Sequence, residues 1–172
     1  MALAAVVLAA GAASRFGAPK QALLLPSVLE RVRAASGIDE LVVVLGAHEL
    51  DVDAPTVRCP DWERGPGASL RCGLASLDPA IEAAVVVLAD GPDLAPSAIE
   101  RIVVAWHTSG QPLLAASYAG RRSHPLLLAR LAWSDIPDEG LRLRQPFLVP
   151  CDDLGSPGDI DFASELPERF SF

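Results

Sequence analysis

Apolar residues fall along this chain in two rhythms. Short runs dominated by Val, Leu and Ala at positions 3–8, 41–45, 83–88 and 113–118 read as strands, and stretches around 28–35, 69–77 and 97–107 repeat their apolar positions at helical spacing. Strands that are apolar at successive positions suit burial on both faces. Their alternation with helices predicts a three-layer α/β/α fold built on a mainly parallel sheet. Residues 136–157 are richer in Pro, Asp, Gly and Arg, and predict loops with one short strand at 147–149.

Composition agrees with this pattern. The chain has 172 residues, of which 51% are apolar, 21% charged and only 5% aromatic. That length and apolar share suit one domain, spanning 1–172, with a sizeable core, and they exclude general disorder. The formal charge is −8, with 14 Lys and Arg against 22 Asp and Glu, and so acidic a surface argues against binding nucleic acid or an anionic membrane. No apolar run approaches the roughly 18–20 residues that cross a bilayer. The apolar opening at 2–10 lacks the basic residues that begin a signal peptide and reads as a buried first strand. Cys59, Cys72 and Cys151 are odd in number and show no CxxC spacing, so the expectation is reduced thiols in a cytoplasmic protein, without a disulfide framework or a zinc cage.

Chemistry concentrates after the first strand, in Leu8-Ala9-Ala10-Gly11-Ala12-Ala13-Ser14-Arg15-Phe16-Gly17-Ala18-Pro19-Lys20. Small residues allow close backbone approach, successive amides cradle oxyanions, and Arg15 and Lys20 add positive charge, so a polyphosphate is the natural ligand. The segment is neither a Walker loop, lacking Gly-Lys-Ser/Thr, nor a G-x-G-x-x-G dinucleotide fingerprint. The plain alternative is a flexible turn with two solvated cations. Asp90 closes the apolar run at 85–89 and precedes Gly91-Pro92-Asp93. In an open α/β sheet that position lies beyond a strand's carboxyl end, where ligands bind; the alternative is an Asp that only forms the turn, as expected of Asp93.

These motifs resemble the MobA-like nucleotidyltransferases, close to the molybdenum cofactor cytidylyltransferases, whose opening runs L-A-A-G-x-S-x-R-x-G-x-x-K. The resemblance extends from Val6 to Leu166 and implies a nucleotide-diphospho-sugar transferase type of fold. On matching positions it implies that Ala9, Ala10 and Gly11 lie against the nucleotide and that Arg15 and Lys20 neutralise its triphosphate, and Leu8 and Ser14 of the same segment are expected to join the nucleotide site. Leu-Ala-Ala-Gly here implies CTP as donor. Gly67-Ala68-Ser69-Leu70-Arg71-Cys72-Gly73-Leu74 is similar to the family's G-x-S-L-x-x-G-L, where Ser69 serves the nucleotide; its alternative role is to cap its own helix.

The same resemblance implies a Mg²⁺ site. Asp90 matches the family's metal-binding Asp, and Asp161, within Gly158-Asp159-Ile160-Asp161, matches the acid that completes the site, with Asp159 in reserve. Mg²⁺ held by one or two carboxylates and substrate phosphates fits such a pair; Asp161 as a helix N-cap is the alternative. Gly120-Arg121-Arg122-Ser123-His124-Pro125 is similar to the family's G-x-x-G-H-P-V beside the acceptor, and Arg121, Arg122 and His124 would grip a small phosphorylated acceptor, molybdopterin by resemblance. The alternatives there are a solvated basic loop, or a sugar-phosphate or phospholactate acceptor. Asp138-Glu139-Gly140-Leu141-Arg142 is a looser match to the family's G-D-x-G-A-R.

The expected activity is transfer of an NMP from an NTP with release of pyrophosphate, with a molybdoenzyme or its maturation chaperone as a protein partner. One departure stands out: after Lys20 the chain passes through Leu23-Leu24-Leu25-Pro26-Ser27 directly into the next helical pattern, where the family has a longer segment. Displacement of Lys20 and a degenerate, non-catalytic relative that regulates cofactor delivery are the readings this shortening motivates. His48, His107 and Cys151 carry no motif.

Overall fold

The computed structural model describes residues 1–12 and 20–158. Its first strand, β1 (Ala2–Ala9), shows how the sheet is buried. Leu3, Ala5, Val7 and Ala9 face one apolar core while Ala4 and Val6 face another, the two-residue alternation of a strand covered on both sides. Helices α1 (Lys20–Ala34) and α3 (Pro96–Ser109) cover the first face. Helix α2 (Pro66–Ala75), with Ile136 and Leu141 from the later loops, covers the second.

The remaining strands are β2 (Glu40–Leu45), β3 (Thr56–Arg58), β4 (Ile81–Leu88), β5 (Leu113–Tyr118), β6 (Arg121–Ala129) and β7 (Phe147–Pro150). They form a seven-stranded sheet in the order β3-β2-β1-β4-β6-β5-β7. Only β6 runs antiparallel to its neighbours, so the sheet is the mostly parallel α/β/α arrangement expected. The order reverses at β1, which has β2 on one side and β4 on the other. That reversal opens a crevice beyond the carboxyl ends of β1 and β4, the standard ligand position in open α/β sheets.

Two strands go beyond the apolar pattern. β3 is three residues long and exposed at both ends, too short to show a period. β6 follows β5 through a tight hairpin in which Ala119 (φ 52°) and Gly120 (φ 74°) both adopt left-handed backbone. Such a turn is normally marked by Asn-Gly or Asp-Gly, and Ala119 hides it. The first helix also begins earlier than its pattern suggests and runs through Pro26. Proline in a helix interior removes a backbone donor at a cost of about 3 kcal/mol. Here Pro26 is exposed, while Leu24, Leu25, Val28, Leu29 and Val32 are all buried and offset that cost.

Helix α2 lies close to the sheet because Gly73 has no side chain. A Cβ there would sit 2.6 Å from Val6 Cγ1 and 2.8 Å from Val44 Cγ2, and both are stiff β-branched neighbours. Gly73→Ala is therefore expected to cost about 1–3 kcal/mol by overpacking. An unchanged urea midpoint in that variant would show that α2 does not seat on β1 and β2 as described.

Candidate active site

β1 and β4 run parallel with Leu8 opposite Leu88, and the amide of Ala89 continues the pairing by donating to the Leu8 carbonyl at 3.1 Å. The chain leaving β1 and the chain leaving β4 therefore emerge side by side. Around them lies a cleft of about 450 Å³. Leu8, Ala10 and Gly11 line it from β1, Lys20 and Gln21 from the first turn of α1, Leu88, Ala89 and Asp90 from β4. The opposite wall is Trp62, Glu63, Gly65, Pro66 and Ser69 at the start of α2.

Lys20 Nζ donates to Asp90 Oδ2 at 3.0 Å, with the two side chains 9% and 22% exposed. The short connection after Lys20 thus leaves it within the cleft. The other carboxylate oxygen, Asp90 Oδ1, is buried without a hydrogen-bond partner. An unpaired buried anionic oxygen is costly, and a divalent cation satisfies it. Among the described residues no three His, Cys, Asp or Glu side chains converge; a cation at Asp90 could count phosphates and water among its ligands, since Mg²⁺ commonly binds one or two carboxylates beside them. The Asp90 residue present fits such an ion.

Ser69 sits four residues after Gly65, the N-cap of α2, so it does not cap that helix; it is 4% exposed on the cleft wall. Arg15, Ser14, Asp159 and Asp161 lie outside the described residues. Ala9 is buried in β1 behind the cleft.

A second cavity, of about 470 Å³, adjoins the first and shares Leu8, Pro66 and Leu88 with it. Arg122, Ser123 and His124 of β6 line it together with Glu139, Leu141 and Arg142. Arg122 is braced there by bonds from its terminal nitrogens to the carbonyls of Arg144, at 2.7 Å, and Leu141, at 2.9 Å. Burial lowers its pKa. His124 is pushed down to about 4, first by burial and then by the Arg122 charge, so its imidazole is neutral at pH 7. Arg121 stands apart: it is exposed next to the hairpin turn, opposite Tyr118, and lines neither cavity.

Asp138, part of the looser motif, joins the two walls. Its carboxylate accepts from Arg71 at 2.5 Å and from Arg64 at 3.1 and 3.2 Å, and the Arg71 bond, ahead of Arg64, holds its pKa below the usual value. The Asp138 carbonyl accepts from the Gly67 amide at 2.8 Å. Backbone of residues 137–140 packs where side chains at Gly65 and Gly67 would project. Those glycines let the second cavity's loop close on the first turn of α2.

The cysteines correct one expectation. Cys59 and Cys72 form a disulfide, leaving Cys151 as a buried free thiol. Two thiols 13 residues apart resemble no metal or redox motif, and only the return of the chain from β3 into α2 brings them together. The bridged segment carries Trp62, Glu63, Gly65, Pro66 and Ser69, so it is the cleft's outer wall.

A family model for the MobA-like NTP transferase domain matches residues 5–142. The chain belongs to that family. This MobA-like domain is similar to the crystal structure of the Mycobacterium tuberculosis Rv0371c homologue from Mycobacterium sp. strain JC1, at 25% identity and TM-score 0.79, covering 98% of this chain and 95% of that one. The Rv0371c complex with manganese from Mycobacterium tuberculosis H37Rv matches at 27% identity and TM-score 0.66, covering 87% and 88%. CMP:2-keto-3-deoxy-manno-octonic acid synthetase complexed with CTP aligns over 99% and 98% with TM-score 0.75; at 12% identity this shows the fold alone. No curated protein matches the chain. Among the described residues no helix of the MobA-like domain is long and apolar enough to cross a membrane.

Gln21, Trp62, Glu63 and Pro66 are cleft residues that the motifs did not single out. Gln21 directly follows Lys20, and Trp62 lies in the Pro- and Gly-rich run before Gly67-Ala68-Ser69; position beside a motif was their signal. His48, also without a motif, places Nε2 2.9 Å from the Ala12 carbonyl.

Two measurements follow from this geometry. A disulfide closing a loop of about 15 residues contributes about 3 kcal/mol in the chain-entropy account, so Cys72→Ser should lower the urea midpoint without reductant; equal midpoints would mean the thiols are unlinked. For His124, the unfolded value is near 6.5 and the folded value about 4, so between them the unfolded state binds more protons and stability falls as pH is lowered through that window. An NMR titration of the imidazole with a midpoint above 6 would contradict the lowered value of this half-buried side chain.

Proposed function

We propose that the protein transfers a nucleotidyl group from an NTP, CTP by preference, to a phosphorylated acceptor, molybdopterin by preference, with release of pyrophosphate. The observation that carries this reading is the pair of adjoining cavities at the β1 and β4 ends: one has Lys20 and Asp90, the other Arg122, His124 and Arg142. A donor and an acceptor bound in these two would meet over the wall formed by Leu8, Pro66 and Leu88.

An acceptor phosphate oxygen would attack the α-phosphorus while the bond to the leaving pyrophosphate breaks. Lys20, with Arg15, balances charge on the leaving group. Asp90 would hold a divalent cation with Asp161, and such a cation supplies charge neutralisation on the phosphates. The manganese-bound Rv0371c structure supports divalent-metal use. A phosphate acceptor is already ionised at neutral pH, so neutral His124 positions it and takes no proton.

CTP and molybdopterin rest on the resemblance of Leu8-Ala9-Ala10-Gly11 and of the segment around His124. Delivery to a molybdoenzyme or its maturation chaperone, in the cytoplasm, belongs to the same reading. Disulfides are uncommon in that compartment, so assays should be run with and without reductant.

Thermal-shift titration with CTP, GTP, ATP and UTP, each with and without Mg²⁺, tests the donor side. A ligand at a hundred times its dissociation constant adds about 2.7 kcal/mol of apparent stability. A magnesium-dependent shift with one nucleotide is expected, strongest for CTP; no shift with any would favour a non-catalytic relative. Asp90→Asn should leave the fold intact and reduce pyrophosphate release at least a hundredfold, and full activity in that variant would remove Asp90 from the chemistry.

A further inference from the structure

Gln21 is 4% exposed and lines the first cleft directly beside Lys20 in the opening turn of α1. Its Nε2 donates to the Gly11 carbonyl at 2.9 Å. Only the amide nitrogen can donate to a carbonyl, so this bond fixes which way the side-chain amide faces. Its oxygen, Oε1, is then left buried with no partner. Among the described residues, Gln21 Oε1 and Asp90 Oδ1 are the buried side-chain atoms in that condition, and both residues line the same cleft.

Native structures leave few buried polar atoms unpaired, and those they leave call for an explanation. For the charged Asp90 a cation suffices. Gln21 Oε1 is a neutral acceptor and takes a hydrogen-bond donor. The phosphates of an ionised nucleoside triphosphate have none, because their oxygens are acceptors only. Its donors are the ribose hydroxyls and the N–H groups of the base.

We propose that Gln21 Oε1 accepts a hydrogen bond from the nucleoside part of the donor nucleotide and so selects the nucleoside, while Lys20, one residue earlier, answers to its charge. This rests on the reading of the first cleft as a nucleotide site. The amide works in both directions: its nitrogen secures Gly11, where the glycine-rich segment begins, and its oxygen meets the ligand.

Calorimetric titration of CTP, 2′-deoxy-CTP, 3′-deoxy-CTP and UTP into the parent, Gln21→Met and Gln21→Glu tests it. One neutral hydrogen bond corresponds to roughly three- to tenfold in affinity. The parent should bind CTP more tightly than one of the analogues by about that factor: a deoxy form if the partner is a ribose hydroxyl, UTP if it is the cytosine amine. In Gln21→Met that ratio should fall to near one. Gln21→Glu keeps an acceptor oxygen but loses the bond to Gly11, so it should weaken every nucleotide yet preserve the ratio, a pattern that a merely structural role would not produce. Ratios equal in the parent and in Gln21→Met overturn the assignment of Gln21 while leaving the nucleotide site standing. A parent that binds none of the four overturns both.

Discussion

Parallel pairing of β1 with β4 is the constraint on which the rest of the cleft depends. With Leu8 opposite Leu88 and Ala89 bonded to the Leu8 carbonyl, the two chains reach the sheet's edge in register. A slip of one residue would turn every side chain of one strand to the other face. Both strands are buried on both sides, so such a slip would preserve apolarity but change which residues meet. In the observed register Ala4 and Ala5 oppose Ala84 and Val85, and Val6 and Val7 oppose Val86 and Val87, with Gly73 of α2 seated against Val6 and Val44. The positions of Gly11 and Asp90 follow from this pairing.

The other half of the site is built differently, from loops joined by polar bonds. Asp138 collects Arg64 and Arg71, Arg122 binds the carbonyls of Arg144 and Leu141, and Arg144 binds those of Ala132, Ser134 and Asp135. Irregular backbone has no ladder to satisfy its carbonyls, and a planar guanidinium reaches several at once. Arginines in the second half of this acidic chain therefore serve partly as struts. Of Arg121 and Arg122, one is exposed away from the cavity and the other is bonded into the cavity wall.

How far the sequence reached follows the same division. Strands at 3–8, 41–45, 83–88 and 113–118 were legible because doubly buried parallel strands leave continuous apolar runs; Gly11 and Asp90 follow the ends of two such strands, whereas Ser69 lies within α2. β6 was not, since its turn uses Ala119 where a left-handed backbone usually announces itself with Asn or Asp. The Cys59–Cys72 bridge was not, because linear spacing says nothing about how β3 returns to α2. Gln21 was not, because its part depends on the buried geometry of one amide oxygen. Family membership gave the fold, and the loops around Asp138 needed coordinates.

The Lys20–Asp90 pair carries a consequence for binding. Removing two charges from water is costly, and breaking a buried pair by taking away one partner is more costly still. Under the proposed reading the cleft does neither when it is filled. Lys20 would exchange a carboxylate for a phosphate oxygen, and Asp90 would exchange an ammonium for a divalent cation, so each charge keeps an opposite neighbour throughout. The free cleft has already met the desolvation of both groups, which removes part of the cost that binding a polyanion would otherwise incur. A triphosphate without a cation would leave Asp90 beside like charge, so under the proposed reading a cation at Asp90, 3.0 Å from Lys20 in the free cleft, would favour the arrival of the triphosphate.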